Sequence, residues 1–272
     1  MRIELITMWY NEEFLAPFFL NHYAWVDKIH ILLTPSTDRT EEIIKQYPNT
    51  EIEYFSFPNN LLDDTLKVRK INEKYKSLTE ADYVIVVDSD EFIFCNQLDK
   101  PVRDHIAKTN KDVYFVNLWQ IYKHETDMPL DLKLPVYEQR QHGDPDIDDS
   151  FNILYVKPAL VRAGQDLWWR EGNHIVVYNG KNLLWASRNY ELFTALKVSI
   201  NQSDMLQGSH WRIAELEETI IKRVYKLKNR MSQHNLDSGF GSFNFTVTEE
   251  EIIDEYNQHK LDPIVLLSRR LL

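Results

Sequence analysis

The chain has one cysteine, Cys95, among its 272 residues, so an intrachain disulfide is excluded and a packed core must hold the fold. A lone thiol also fits a reducing compartment, and Cys95 reads as a buried apolar filler, not a nucleophile. No stretch approaches the ~18 to 20 consecutive apolar residues of a membrane span, and the sequence opens on a strand pattern with no basic-then-apolar leader. A cytoplasmic location is the expectation. Positive charge is in deficit, with 31 Lys and Arg against 42 Asp and Glu for a net charge of −11. That excludes a general nucleic-acid binder, which needs a basic face, but leaves room for an anionic substrate held by a local cluster. Repeats, low-complexity tracts and flexible linkers are missing as well. The length then suits one large domain, or one domain with an appendage.

What is present is an ordinary soluble composition, 43% apolar and 27% charged. The 7 Trp and 14 Tyr would suit the aromatic faces of a sugar site, although most such rings belong to a core. The most informative stretch is Tyr83-Val84-Ile85-Val86-Val87, followed at once by Asp88-Ser89-Asp90-Glu91. The apolar run reads as a strand buried on both faces of a largely parallel sheet. Its carboxylates arrive at the C-terminal end, where α/β proteins bind charged ligands. Three acids within four residues repel one another unless a cation or donors compensate them. Oxygen ligands suit Mg²⁺ or Mn²⁺, and Mg²⁺ is commonly held by one or two carboxylates plus substrate phosphates. A solvated acidic turn is the plainer alternative.

Periodicity places strands at 2–8, 29–33, 51–55 and 83–87, alternating with helices at about 14–25, from Asp38 to about Tyr47, and at 66–78. The order is that of a doubly wound, Rossmann-like half. A helix near 102–108 and a strand at 113–119 follow. Residues 123–150 lose periodicity and read as a long surface excursion. Strands are expected at 153–162 and 175–185, the latter a hairpin about Asn179-Gly180. From Tyr190 the pattern turns helical, at 190–200, 213–231 and 249–259. The expected organisation is a domain over 1–211, divided at about 120, with a helical appendage over 212–272.

Three motifs stand in order behind these strands: Tyr10-Asn11-Glu12-Glu13, Ser36-Thr37-Asp38-Arg39-Thr40, and Asp88-Ser89-Asp90-Glu91-Phe92. Together they resemble family-2-type glycosyltransferases of the GT-A fold, in the subgroup whose motif reads acidic-x-acidic-Glu-Phe. The likeness covers about residues 1–120 and continues more weakly through Lys157-Pro158, Gly172-Asn173-His174 and 188–197. Beyond His210 nothing in the sequence carries it. The resemblance implies a GT-A fold, a nucleotide-sugar donor (a UDP-sugar is favoured), Mn²⁺ or Mg²⁺, and transfer of a sugar to a hydroxyl of a glycan or glycolipid acceptor. Inversion at the anomeric carbon is the expected outcome. By the same resemblance, Thr7, Tyr10, Asn11, Glu12, Asp38 and Ser89 would bind the donor. Lys67 and Arg69 would lie near the pyrophosphate, though a solvated helix face explains these two equally well. Asp88 would sit by the ribose and metal, and Asp90 would ligate the metal directly. A late histidine often completes the metal shell in such enzymes, which points to His210 or, as an alternative, His174. The family also carries an acidic pair at about the next helix and a histidine shortly before position 188. This chain has neither.

Trp168-Trp169-Arg170-Glu171-Gly172-Asn173-His174 gathers two rings, a carboxylate and an imidazole. Glu171 is the favoured general base, with His174 its competitor. Trp168, Trp169 and Glu91 are the candidate acceptor contacts, unless the tryptophans are core and Glu171 merely surface. Two other readings compete. One is a degenerate domain that binds a glycan or partner without turnover. The other is a metal-dependent phosphatase or phosphotransferase, which normally places its nucleophilic Asp after the first strand and not the fourth. A sugar nucleotidylyltransferase would need a Gly-rich, Arg-containing loop after the first strand, which Trp9-Tyr10-Asn11-Glu12 does not offer. Basic residues Lys222, Arg223, Lys226, Lys228 and Arg230 leave peripheral membrane contact of the helical tail open.

Overall fold

The structure, a computed structural model, describes residues 1–95, 100–144, 156–183, 197–199, 204–239 and 246–261. Its opening is the expected alternation: β1 (Ile3–Trp9), α1 (Ala16–His22), β2 (Lys28–Leu33), α2 (Thr40–Ile44), β3 (Thr50–Tyr54), α3 (Asp64–Ser77) and β4 (Tyr83–Val86). β1, β2 and β4 are buried on both faces because their side chains divide between two cores, whereas β3, at the sheet edge, is only partly buried. Tyr83, Ile85 and Val87 join one cluster, beneath α1, α2 and the helix over 102–109, with Ile3, Leu5, Ile29 and Ile31. Val84 and Val86 join the other, with Ile6, Leu32 and the α3 residues Ile71 and Tyr75. Each fully buried aliphatic side chain contributes roughly 1.5–3 kcal/mol, so the apolar run is held firmly up to Val87.

Four strands were not anticipated, two of them short: Gly143–Asp144 and Leu167–Trp169. β5 (Glu91–Phe94) begins inside the acidic motif, and β12 (Leu206–Ile213) lies where helical sequence was expected to begin. Between them come α4 (Val102–Thr109), β6 (Val113–Tyr122), α5 (Val136–Gln139), β7 (Gly143–Asp144), β8 (Val156–Arg162), and a small antiparallel sheet of β9 (Leu167–Trp169), β10 (Val176–Tyr178) and β11 (Lys181–Leu183). Among the described residues the main sheet has nine strands in the order β3-β2-β1-β4-β8-β6-β12-β5, with β7 beside β6. Strands β1 to β4, β6 and β12 run one way, and β5, β7 and β8 the other. The α/β architecture expected from the sequence, a Rossmann-like, mostly parallel sheet flanked by helices, is therefore the one observed. The hairpin between β10 and β11 also forms as expected, its turn residues Asn179 (φ 49°) and Gly180 (φ 71°) both left-handed.

The helix expected over 213–231 starts at α6 (Leu216–Ile220), because residues through Ile213 pair in the sheet. It continues as a π-helical stretch, Ile221–Leu227, and a tight turn, Lys228–Arg230. Then come α7 (Gln233–Ser238) and α8 (Glu249–His259), the latter closed by a capping box between Thr248 and Glu251. Of the helix expected over 190–200, only residues 197–199 are described, and they are not helical, Val198 bridging Val113 of β6 instead; the Trp185-Ala186-Ser187 stretch lies outside the described residues. So do parts of the strand over 153–155 and of the excursion over 145–150.

Candidate functional site

A cleft of about 620 Å³ opens at the C-terminal ends of β1 and β4. Sheet register carries its residues there. The antiparallel pairing Tyr83↔Arg162, Val84↔Val161, Ile85↔Leu160, continued past the end of β4, brings Lys157 opposite Asp88. Lys157 Nζ lies 3.3 Å from Asp88 Oδ2 and pairs closely with Glu91 Oε1. From α3, Lys67 Nζ reaches Asp88 Oδ1 at 2.8 Å. Burial raises the cost of ionising Asp88, but the two lysines outweigh it and hold the carboxyl below the ordinary range. Burial lowers the affinity of Lys157 for its proton, and Glu91 and Asp88 more than restore it.

Register also sets His210, which faces Glu91 of β5 on one side and Gln120 of β6 on the other. Its Nδ1 lies 2.9 Å from Gln120 Oε1, and its Nε2 lies 3.8 Å from Asp90 Oδ2. Lys222, on the π-helical stretch, meets Ser89 Oγ at 3.1 Å and Asp90 Oδ2 and Glu12 Oε1 at 3.2 Å each. Asp90 is held well below the usual carboxylate range, the pull of Lys222 and His210 exceeding the penalty of burial. Glu12 is pushed up instead, because burial and Asp90 oppose its charge more than Lys222 supports it.

The loop after β1 is fixed by the loop after β2. Asn11, at φ 52°, accepts from the Thr37 N–H at 2.7 Å and donates to Thr37 Oγ1 at 3.0 Å. Ser36, Thr40 and Asp38 accept from the backbone N–H groups of Asn11, Glu12 and Glu13. Of the expected donor residues, Tyr10, Asn11, Glu12, Lys67, Asp88 and Ser89 line the cleft. Asp38 acts chiefly as a clasp and helix-start residue, accepting from the Thr40 N–H and hydroxyl. Thr7 is buried and accepts from the Trp9 indole at 2.9 Å. Arg69 is a correction, since it points away on exposed α3 surface beside Glu73. The two readings of Lys67 and Arg69 thus divide: one faces the site, the other solvent.

Glu171, His174 and His210 line the cleft. Glu171 Oε1 accepts from Thr65 Oγ1 at 3.4 Å. Burial, then the charge of Lys157, pushes His174 down to about 3, so its ring is neutral near pH 7. The acceptor-contact assignments need correction. Trp169 is fully buried, its indole donating to Pro158 O and its backbone held both ways by Asn72. Trp168 is exposed but lies outside the cleft lining. Glu91 is buried, spent on Lys157 and on the Asp88 N–H at 3.0 Å. His210 stands within β12, a strand that the sequence did not lead one to expect.

Sequence reasoning missed Lys157, Lys222, Lys226 and Arg230 as cleft residues. Lys226 reaches Asn11 O at 3.2 Å, and the Arg230 guanidinium stacks 3.3 Å from the centre of the Tyr10 ring. A lysine inside the apolar run Val156-Lys157-Pro158-Ala159-Leu160 was a readable signal, because a buried ammonium needs a carboxylate partner.

Only part of the acidic motif suits a divalent cation. Asp88 is unsuited, both its oxygens being paired with lysines. Asp90 and His210 fit: Gln120 orients the imidazole so that Nε2 faces the carboxylate, as outer partners of metal-bound histidines do. Among the described residues no cage of three or more His, Cys, Asp or Glu forms, so substrate oxygens would have to complete the shell.

No protein-family model and no curated protein matches the chain. Among solved structures it is similar to S. aureus TarS, at 15% identity over 97% of this chain and 44% of that one, with TM-score 0.44. It is also similar to glucosyl-3-phosphoglycerate synthase from Mycobacterium tuberculosis in complex with Mn²⁺, uridine diphosphate and phosphoglyceric acid. That match has 16% identity, covers 44% of this chain and 43% of that one, and has TM-score 0.30. The chain thus spans less than half the length of these neighbours, and likeness this low carries nothing about the site.

Proposed function

We propose that the protein is a GT-A-type glycosyltransferase, using a nucleotide-sugar donor and a glycan or glycolipid hydroxyl as acceptor. One observation carries this reading: two ionised carboxylates at the end of β4 share a single cleft with lysines from α3, β8 and the π-helical stretch. Acids alone would repel a diphosphate, and lysines alone would bind any anion. The combination suits a ligand with phosphates at one end and hydroxyls or a metal at the other.

The chain's own groups have definable work. Tyr10 and Arg230 offer a flat surface for a base, and Lys67, Lys157 and Lys222 set positive charge where a nucleoside diphosphate leaves. As the bond from the anomeric carbon to the diphosphate oxygen breaks, the acceptor oxygen bonds to that carbon and its proton passes to a base. Glu171 is that base in this reading, since His174, held near 3, binds a proton too weakly. Mn²⁺ or Mg²⁺ on Asp90 and His210 would supply Lewis-acid stabilisation of the departing diphosphate. UDP-sugars are the favoured donors, and inversion the favoured outcome.

The phosphotransferase alternative is disfavoured by Asp88, whose oxygens both pair with lysines and are poorly placed to attack phosphorus. A binding-only domain is separated by turnover. Release of nucleoside diphosphate from a panel of nucleotide sugars with Mn²⁺ tests the proposal, with Asp90→Asn as control. Metal-stimulated release that disappears in a folded Asp90→Asn variant supports it. No release with any sugar, or equal release by the variant, removes it.

A further inference from the structure

Lys222 and Lys226 belong to the C-terminal helical stretch, where the sequence resembles nothing recognised. One turn apart, both face the cleft with Glu218, Thr219 and Arg230. The turn that carries them is a π-helix, a rare form that is frequent at functional sites. An ammonium group has three N–H donors. Those of Lys222 are surrounded by three oxygens from two loops far apart in sequence, Glu12 Oε1, Ser89 Oγ and Asp90 Oδ2, all within 3.2 Å. It therefore stands against the same Asp90 oxygen that faces His210 Nε2. Further along the stretch, Lys226 approaches Asn11 O and Asp38, and Arg230 covers Tyr10. The basic side chains thus form a line from the acidic motif to an aromatic ring. The wall beside it holds a buried indole N–H, that of Trp211, with no hydrogen-bond partner among the described residues.

From this arrangement we infer that Lys222 is a built-in counter-cation of the cleft: it neutralises Asp90 and Glu12 when the site is empty and, with Lys226, binds the diphosphate of a nucleotide without a required metal. The inference rests on the nucleotide-sugar reading above and adds that Lys222 and a divalent ion compete for Asp90. The flexible lysine stem lets the ammonium turn from carboxylate to phosphate with little change of backbone.

The test uses the full chain and two titrations. Uridine, guanosine, cytidine and thymidine diphosphates are each titrated calorimetrically into wild type, Lys222→Met and Lys222→Arg, first in EDTA and then with Mn²⁺. Free Mn²⁺ is separately followed by paramagnetic resonance as it is titrated into each protein without nucleotide. The expected result is that wild type binds at least one nucleotide in EDTA and that Lys222→Met binds it about tenfold or more weakly, the loss of one charged contact. Lys222→Arg keeps most of the affinity. Mn²⁺ binds Lys222→Met about tenfold more tightly than wild type, because two carboxylates have lost their cation. Wild-type nucleotide binding that requires Mn²⁺, or Mn²⁺ affinity unchanged by Lys222→Met, overturns the inference. If no nucleotide binds in either medium the nucleotide reading fails, and the Mn²⁺ titration still decides whether Lys222 holds the metal's place. Should Lys222→Met not fold, wild-type binding in EDTA decides alone.

Discussion

Replacing Lys157 by methionine keeps the hydrocarbon stem and deletes one charge from the floor of the cleft. In the native protein Lys157 is 3% exposed and Glu91 2% exposed, and the two pair directly. Without the ammonium, Glu91 retains the Asp88 N–H at 3.0 Å as its neighbouring donor, and Asp88 retains Lys67 at 2.8 Å. Asp88 is thus still compensated and Glu91 is not. Breaking a buried pair from one side costs about 3–5 kcal/mol, most of it the stranded charge. That is a large part of the ~5–15 kcal/mol by which proteins are stable. The double variant Lys157→Met with Glu91→Gln removes the stranded charge while keeping an acceptor for the Asp88 N–H, so it should recover at least half of the loss. Urea unfolding followed by tryptophan fluorescence measures both. A single-variant loss below about 1 kcal/mol, or a double variant no better than the single, refutes the buried-pair argument.

Other consequences follow from the same geometry. The folded-state affinity of His174 for its proton, near 3, lies below the unfolded value of 6.5, so its contribution to stability is present above about pH 6.5 and is lost as pH falls toward 3. Melting temperatures across that window should fall less steeply in His174→Gln than in wild type, and parallel curves would contradict the burial argument. A Cβ on Gly208 would meet Leu118 Cδ2 at 2.7 Å and Phe92 O at 2.9 Å, so Gly208→Ala should destabilise by about 1–3 kcal/mol in urea unfolding. An unchanged midpoint would mean that β12 can shift away from β5. Arg230→Ala removes the group stacked on Tyr10 and should weaken nucleotide binding by calorimetry, with no loss expected if the ring pair only braces the loop through Asn60.

Much of the first half was legible because the apolar residues of β1, β2 and β4 alternate between two cores, with the buried pair Glu4 and His30 the main polar exception. The acidic motif was legible because the apolar run stops abruptly at Asp88, although Ser89 and Glu91 beyond it stay buried. β5 was hidden because Glu91-Phe92-Ile93-Phe94 is only four residues long and starts within the motif, so nothing marks a turn before it. β12 carried a readable signal, with Leu206, Gly208, Trp211 and Ile213 buried and Gln207, His210 and Arg212 partly exposed, but a helical pattern began too close behind. Lys222, Lys226 and Arg230 are four residues apart and look like a solvated basic face. Only the packing of the π-helical stretch over the loops after β1 and β4 aims that face at Asp90 and Tyr10. Trp168-Trp169 misled in the opposite direction, because β9 turns one ring into the core and the other to solvent.

The most direct measurement is a thermal-shift panel of UDP-, GDP-, CMP- and dTDP-sugars, each with and without Mn²⁺, on wild type and on Asp90→Asn. Ligands that bind only the folded chain raise its melting temperature by mass action. One nucleotide class should raise it in wild type, with a larger rise when Mn²⁺ is present, and Asp90→Asn should lose the part that depends on metal. Unchanged melting for every donor in both media would contradict the claim that this cleft is a nucleotide-sugar site.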